Sequence, residues 1–149
     1  MLKGYGNLTV LVGIPGSGKS TWARDFGGRA IIVSTDQIRE EFWGDASDQR
    51  NPKKVFEYAY AVTKCALADG HNVIFDATNL TKKTRARLLE ETKRFTNEKY
   101  AIVFMTPFDT CMRRNAARAR VVPENVLEAM LRKLETPTED EGFDKIITI

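Results

Sequence analysis

Residues 8–20 read L-T-V-L-V-G-I-P-G-S-G-K-S, and the fold turns on them. Leu8–Val12 is a continuous apolar run, the pattern of a strand buried on both faces. Gly13 follows it. Gly16 and Gly18 lack Cβ atoms, so the backbone there can curl and aim successive N–H groups into one concavity. Lys19 adds a point charge for outer phosphates and Ser20 a hydroxyl for Mg²⁺. Thr21-Trp22-Ala23-Arg24 continues as a helix whose positive end faces the same hollow. The spacing matches G-x-x-x-x-G-K-[ST], the phosphate-binding P-loop. The alternative is a glycine-rich turn with an accidental Lys-Ser, which would need neither the strand before nor the helix after. Pro15, Gly16, Ser17, Gly18, Lys19, Ser20 and Thr21 are therefore expected to bind ATP, or another nucleoside triphosphate, with magnesium.

Four further apolar runs, at 30–34, 72–76, 100–105 and 145–149, are rich in Val and Ile and alternate with helical patterns. Asn51-Pro52 supplies a cap and a first-turn proline ahead of residues 53–69, and Gly70 stops that helix. Thr81 can cap residues 82–95. Val122-Pro123 opens another helix, with Glu124 in its first turn and Arg132-Lys133 near its end, as the helix dipole prefers. Strand–helix alternation predicts a three-layer α/β/α fold of the P-loop type, with a five-stranded, mainly parallel sheet. Gly27-Gly28 closes the first helix. The acidic, turn-rich 136–142 segment is expected to be an exposed loop, and His71, between Gly70 and Asn72, a turn residue. Trp43 could stack a base, but with Phe42 beside it helix packing is the favoured reading.

The 149 residues suffice for one domain, 1–149, with its own core. A net charge of +3 neither demands nor excludes a nucleic-acid partner. Cys65 and Cys111 stand apart with no C-x-x-C pattern, which argues against zinc and disulfides and for a reducing, cytoplasmic compartment. The first apolar run is too short to cross a membrane. No N-K-x-D guanine reader is present, and a ring-forming ATPase needs more chain for its lid domain and sensors. A small phosphotransferase fits best.

Parallel sheets bind ligands beyond the carboxyl ends of their strands. Asp36 follows the second run in S-T-D-Q-I-R (34–39), and Asp76-Ala77-Thr78-Asn79 follows the third. Two readings of Asp36 compete: helix cap, or general base for an acceptor hydroxyl. Arg39, one turn on, can fork onto a phosphate carried by the acceptor. Asp76 reads either as a carboxylate near Mg²⁺, directly or through water, or as a strand-end residue bonding the next turn; water could also link Asp36 to the metal. From Cys111 to Val122, four arginines (113, 114, 118, 120) occur without an acid. Arg114 and Arg118 are four apart and expected to share a helix face. Like charges at that spacing repel unless an anion arrives, as in a lid, about 110–123, closing over a triphosphate; a solvated basic face is the alternative. For Lys82-Lys83-Thr84-Arg85-Ala86-Arg87, followed by Glu90-Glu91, a solvated face is preferred.

These parts together resemble the kinase domain of the bacteriophage-type 5′-hydroxyl polynucleotide kinases. G-I-P-G-S-G-K-S-T-W-A-R-D-F looks like that family's loop and first helix, and the likeness runs over about residues 8–135. Asp36 and Arg39 fall on the family's D-x-x-R, whose Asp activates the 5′-hydroxyl and whose Arg holds the 3′-phosphate of the terminal nucleotide. Thr78-Asn79-Leu80 matches T-N-L, with the threonine on that phosphate. Arg114-Asn115 and Arg118 match the lid, the latter on donor phosphates, and Val122-Pro123 matches a V-P pair whose valine packs against the acceptor base. Two departures stand out: Ala77 occupies the family's acidic position, with Asp76 one residue earlier, and the lid is one residue shorter between Arg118 and Pro123. The phage enzyme's phosphatase domain has no counterpart in these residues. The resemblance implies Mg²⁺-dependent transfer from ATP to 5′-hydroxyl ends of DNA or RNA, with Asp36, Lys19 and Arg118 catalytic, Arg114 helping bind ATP, and Arg39, Thr78, Asn79 and Val122 on the acceptor. The rival readings are a kinase for a small metabolite or nucleoside, and an NTP-binding regulatory module.

Overall fold

The computed structural model describes residues 4–149. Five strands, β1 (Leu8–Val12), β2 (Ile31–Ser34), β3 (Val73–Asp76), β4 (Lys99–Val103) and β5 (Lys145–Thr148), form one sheet in the order β2-β3-β1-β4-β5. All four pairings are parallel. Parallel neighbours need crossovers, and the helices α1 (Lys19–Phe26), α2 (Thr35–Trp43), α3 (Pro52–Ala68), α4 (Lys82–Thr92), α5 (Phe108–Ala116) and α6 (Glu124–Lys133) lie in them. The fourth strand begins and ends slightly earlier than its apolar run suggests, and Met105, past its end, is exposed.

The central strand is buried on both faces. Leu8, Val10 and Val12 pack with Val73, Phe75, Ala101 and Val103 against α2, α3 and α4. Leu11 points the other way and packs with Ile74, Ile102 and Phe104 against Ala23 and Trp22 of α1. Alternation of side chains along each strand thus yields the three-layer α/β/α arrangement. A third cluster, Ile14 with Cys111, Val122 and Leu127, fastens α5 and α6 beside the loop after β1.

Local chemistry sets the helix starts. Ser34 accepts from the Gln37 amide, Asn51 from Lys54 and Thr81 from Thr84. The cap of α2 is therefore Ser34, which removes capping as the role of Asp36. Trp43 packs edge-on against Phe42, with Arg50 over its ring, and His71 is exposed just past the turn at residues 69–70. Cys65 and Cys111 are free. Among the described residues, no helix is long and apolar enough to cross a membrane.

Three sequence expectations need correction. Arg85 is not on a solvated face: it has no exposed surface, and it forks onto Glu141. For the same reason 136–142 is not simply an exposed loop, since Pro137 is buried and Glu141 carries Arg85. Finally, Arg114 and Arg118 do not share a helix face. The α5 helix stops at Ala116, where Asn115 donates from Nδ2 to the Val122 carbonyl (2.7 Å) and accepts from the Val122 amide (3.0 Å), turning the chain back.

Candidate phosphotransfer site

The loop after β1 curls as its glycines require. Gly16 has φ 83°, and a Cβ there would lie 2.4 Å from the Cys111 carbonyl oxygen of α5. Gly18 has φ 101° and stands at the start of α1 with no side chain capping the helix. The first amides of α1 are left to a ligand, the arrangement that binds anions. Ser17 Oγ is buried without a hydrogen-bond partner, nestled over Gly13, where a Cβ would lie 2.6 Å from it.

Lys19 is buried, and its Nζ donates to the Ile14 carbonyl at 3.0 Å. Burial pushes its pKa down to about 8; Asp76 and Asp36 oppose that fall, while the positive charge of Arg118 adds to it. Ser20 Oγ donates to Asp76 Oδ2 at 2.7 Å. A solvent-facing hydroxyl beside a carboxylate at a strand end is a hard-oxygen donor pair suited to magnesium. Ser20 and Asp76 would hold that ion, which would neutralise charge on the donor phosphates. The Asp76 side chain meets Ser20 of α1, not the turn that follows its own strand.

Asp36 sits at the exit of β2, where three guanidinium groups meet it. Arg39 Nη1 donates to Oδ1 at 2.8 Å, Arg118 Nη2 to Oδ2 at 3.3 Å, and Arg120 Nη1 to Oδ1. Arg39 is only 7% exposed, and its Nε is buried without a partner. Burial lowers its pKa, Asp36 opposes that, and Arg120 adds to it. One carboxylate does not balance three guanidinium groups, so this end of the site is short of negative charge.

Asp36, Arg39 and the P-loop line one cavity of about 1380 Å³, and Asp36 and Arg118 are near enough to act on Lys19 electrostatically. Pro15, Thr21 and Thr78 line the same cavity. Arg114 stands over the loop, since a Cβ on Gly18 would lie 3.3 Å from its Nη1. Arg113 points away to Thr110. Val122 is buried at the cavity wall. Asn79 is placed differently from expectation. Its side chain is buried and its Nδ2 is spent on the carbonyls of Leu11 (2.7 Å) and Ala77 (3.2 Å). It takes φ 48°, the left-handed region that Asn tolerates better than most residues, and it shapes the turn instead of reaching a ligand.

Several roles here go beyond the sequence reading. Arg120, expected only as one of four acid-free arginines of the lid, joins the group around Asp36. Thr106 donates from Oγ1 to the Ser17 carbonyl at 2.8 Å, bracing the loop from the end of β4. Asn115 closes the lid turn, and Arg85 with Glu141 lies behind the 78–80 turn.

A family model described as an AAA domain, AAA_33, matches residues 8–137. The L-seryl-tRNA(Sec) kinase of Methanococcus maripaludis is 28% identical over 146 residues, covering 92% of this chain and 56% of its own. Protein kti12 of Schizosaccharomyces pombe is 25% identical over 155 residues, covering 92% of this chain and 54% of its own. The chain thus spans little more than half the length of the curated relatives it matches. Among solved structures, a chain of the Pnkp1/Rnl/Hen1 RNA repair complex superposes with a TM-score of 0.78 at 25% identity, over 89% of this chain and 45% of that one. The likeness is to P-loop kinase domains broadly, and these sequence relatives, a seryl-tRNA kinase and a Kti12, do not bear out the narrower phage-type resemblance.

Proposed function

Because the chain belongs to the AAA_33 family and has the fold of a P-loop kinase domain, we propose that it is a magnesium-dependent ATP kinase whose acceptor is the 5′-hydroxyl end of DNA or RNA. The observation that carries this reading is Asp36, relieved of capping by Ser34 and lining the same hollow as the P-loop. Lys19 and the loop amides hold the β- and γ-phosphates. Arg114 and Arg118 draw onto the donor. The triphosphate offers Arg118 a stronger anion than Asp36, and the departure of Arg118 frees Oδ2 of the carboxylate while Arg39 and Arg120 stay on Oδ1. The acceptor oxygen then bonds the γ-phosphorus as the bond to the β–γ bridging oxygen breaks. The acceptor's proton passes to Asp36, and ADP leaves with the bridging oxygen. Arg39 and Thr78 take a phosphate next to the acceptor hydroxyl, and Val122 supports its base.

The surplus of guanidinium groups favours a phosphate-bearing acceptor over a neutral sugar, and a catalytic role over a regulatory module, which needs no acceptor clamp. A second reading rests on the L-seryl-tRNA(Sec) kinase relative: the acceptor hydroxyl would sit on an aminoacyl group carried by tRNA. Both are alcohols attached to a nucleic-acid polyanion.

The test is phosphate transfer from labelled ATP to 5′-hydroxyl DNA and RNA oligonucleotides, seryl-tRNA, a 3′-mononucleotide, a nucleoside and a sugar panel. Preferential labelling of oligonucleotides supports the first reading; labelling of seryl-tRNA alone replaces it with the second. Asp36→Asn should keep MgADP affinity and lower turnover by about 10²–10⁴. Full turnover by that variant rejects Asp36 as the base.

A further inference from the structure

Arg85 has no exposed surface, yet four hydrogen bonds place it behind the turn that forms the acceptor wall. Its Nη1 donates to the carbonyls of Asn79 (2.8 Å) and Leu80 (3.2 Å). Its Nε and Nη2 fork onto Glu141 Oε1 (2.8 Å) and Oε2 (3.2 Å). Glu141 is held in turn, accepting from the Thr138 amide at 2.8 Å, and the Leu80 carbonyl also accepts from the Glu135 amide at 2.8 Å. The turn itself is demanding. Asn79 sits at φ 48° with its amide spent on Leu11 of β1, and the Thr78 carbonyl accepts from the Gly13 amide of the P-loop at 3.1 Å.

We propose that Arg85, oriented by Glu141, is a positioning residue that fixes the Thr78–Leu80 turn at its distance from the P-loop and so sets how the acceptor is seated. This rests on the reading of Thr78 as an acceptor contact. The chemistry calls for arginine. Two carbonyls and a bidentate carboxylate need donors spread in a rigid plane, which a guanidinium has and an ammonium lacks. One partner also comes from far along the chain: Glu141 lies 56 residues from Arg85. The 135–141 segment thereby braces the acceptor wall without entering the cavity.

The test uses the full chain with Arg85→Lys and Glu141→Gln, measuring Tm, MgADP affinity, acceptor KM, and kcat per nucleotide-binding site. Arg85→Lys should raise acceptor KM about tenfold while leaving MgADP affinity within about twofold. Glu141→Gln should raise KM less, about threefold, since Arg85 keeps the two carbonyls. A merely structural pair would lower Tm and the active fraction with acceptor KM unchanged, and that result overturns the proposal. If Arg85→Lys does not fold, Glu141→Gln decides by the same criteria. Should the wild-type protein use an acceptor other than a 5′-hydroxyl strand, the functional reading falls and KM is measured for the acceptor it does use. Amide exchange needs no acceptor at all: faster exchange across 78–82 with β1 unchanged supports the positioning role, and equal exchange refutes it.

Discussion

Nucleotide affinity should carry a pH signature set by Lys19. Burial lowers its pKa from 10.5 to about 8, so the free enzyme holds an ammonium at pH 7 and mostly a neutral amine at pH 9. Phosphate oxygens against Nζ favour the charged form and return the pKa to its ordinary value or above. Binding therefore takes up a proton across the interval from about 8 to 10.5. Affinity should be flat below about pH 8 and weaken about tenfold for each pH unit above it. The full interval corresponds to about 3.4 kcal/mol, roughly a 300-fold change. Stability moves the other way. The unfolded chain binds more protons than the free folded one in this window, so the Lys19 contribution to nucleotide-free stability improves as pH rises through it, while the stabilisation conferred by nucleotide shrinks. Calorimetric titration with MgADP, in buffers of differing ionisation enthalpy, measures both affinity and proton uptake. Uptake should be near zero at pH 7 and approach one proton at pH 9. An affinity that is constant from pH 7.5 to 9.5 with no proton uptake refutes the reasoning, because Lys19 would then be charged in both states.

Two other perturbations probe the loop and the metal site. Gly16→Ala places a methyl 2.4 Å from the Cys111 carbonyl at φ 83°; the backbone conformation alone costs about 1–2 kcal/mol, so a lower Tm and loss of MgADP binding are expected in thermal melts and titrations. Ser20→Ala removes the hydroxyl that meets Asp76 from an exposed position; Tm should hold, while the magnesium concentration giving half-maximal rate rises about tenfold, the cost of one lost ligand interaction of about 1.4 kcal/mol.

What the sequence made legible follows from interaction range. The P-loop and the five strands are short-range facts: continuous apolar runs mark parallel strands, the central β1 and β3 buried on both faces and the edge β5 largely exposed, and Gly16 and Gly18 are needed where φ is positive. Asp36 could be read two ways because Ser34, Thr35 and Asp36 are all able caps, and only the backbone decides that Ser34 accepts from Gln37. Arg85 was misread because its neighbours Lys82, Lys83 and Arg87 are exposed and its counter-ion arrives from 56 residues away. The face shared by Arg114 and Arg118 assumed a helix running through both. It ends because the Asn115 side chain satisfies both backbone groups of Val122, a competition with the helix ladder that spacing does not reveal.

The charges in the cavity explain why these readings converge on phosphate transfer. Lys19, Arg39, Arg118 and Arg120 face two carboxylates, Asp36 and Asp76, and Arg39 keeps a buried Nε unpaired. Taking a cation out of water is unfavourable even beside a carboxylate, and Lys19 and Arg39 both register that desolvation in lowered pKa values. A fold that needed only stability would fill this space with apolar side chains of similar volume. One phosphate chain at the P-loop and a second phosphate beside Arg39 and Arg120 would supply the missing negative charge. Under the proposed reading the same redistribution would move Arg118 off Asp36, so Oδ2 would be freed only when the donor it works with is in place, while Arg39 and Arg120 keep Oδ1.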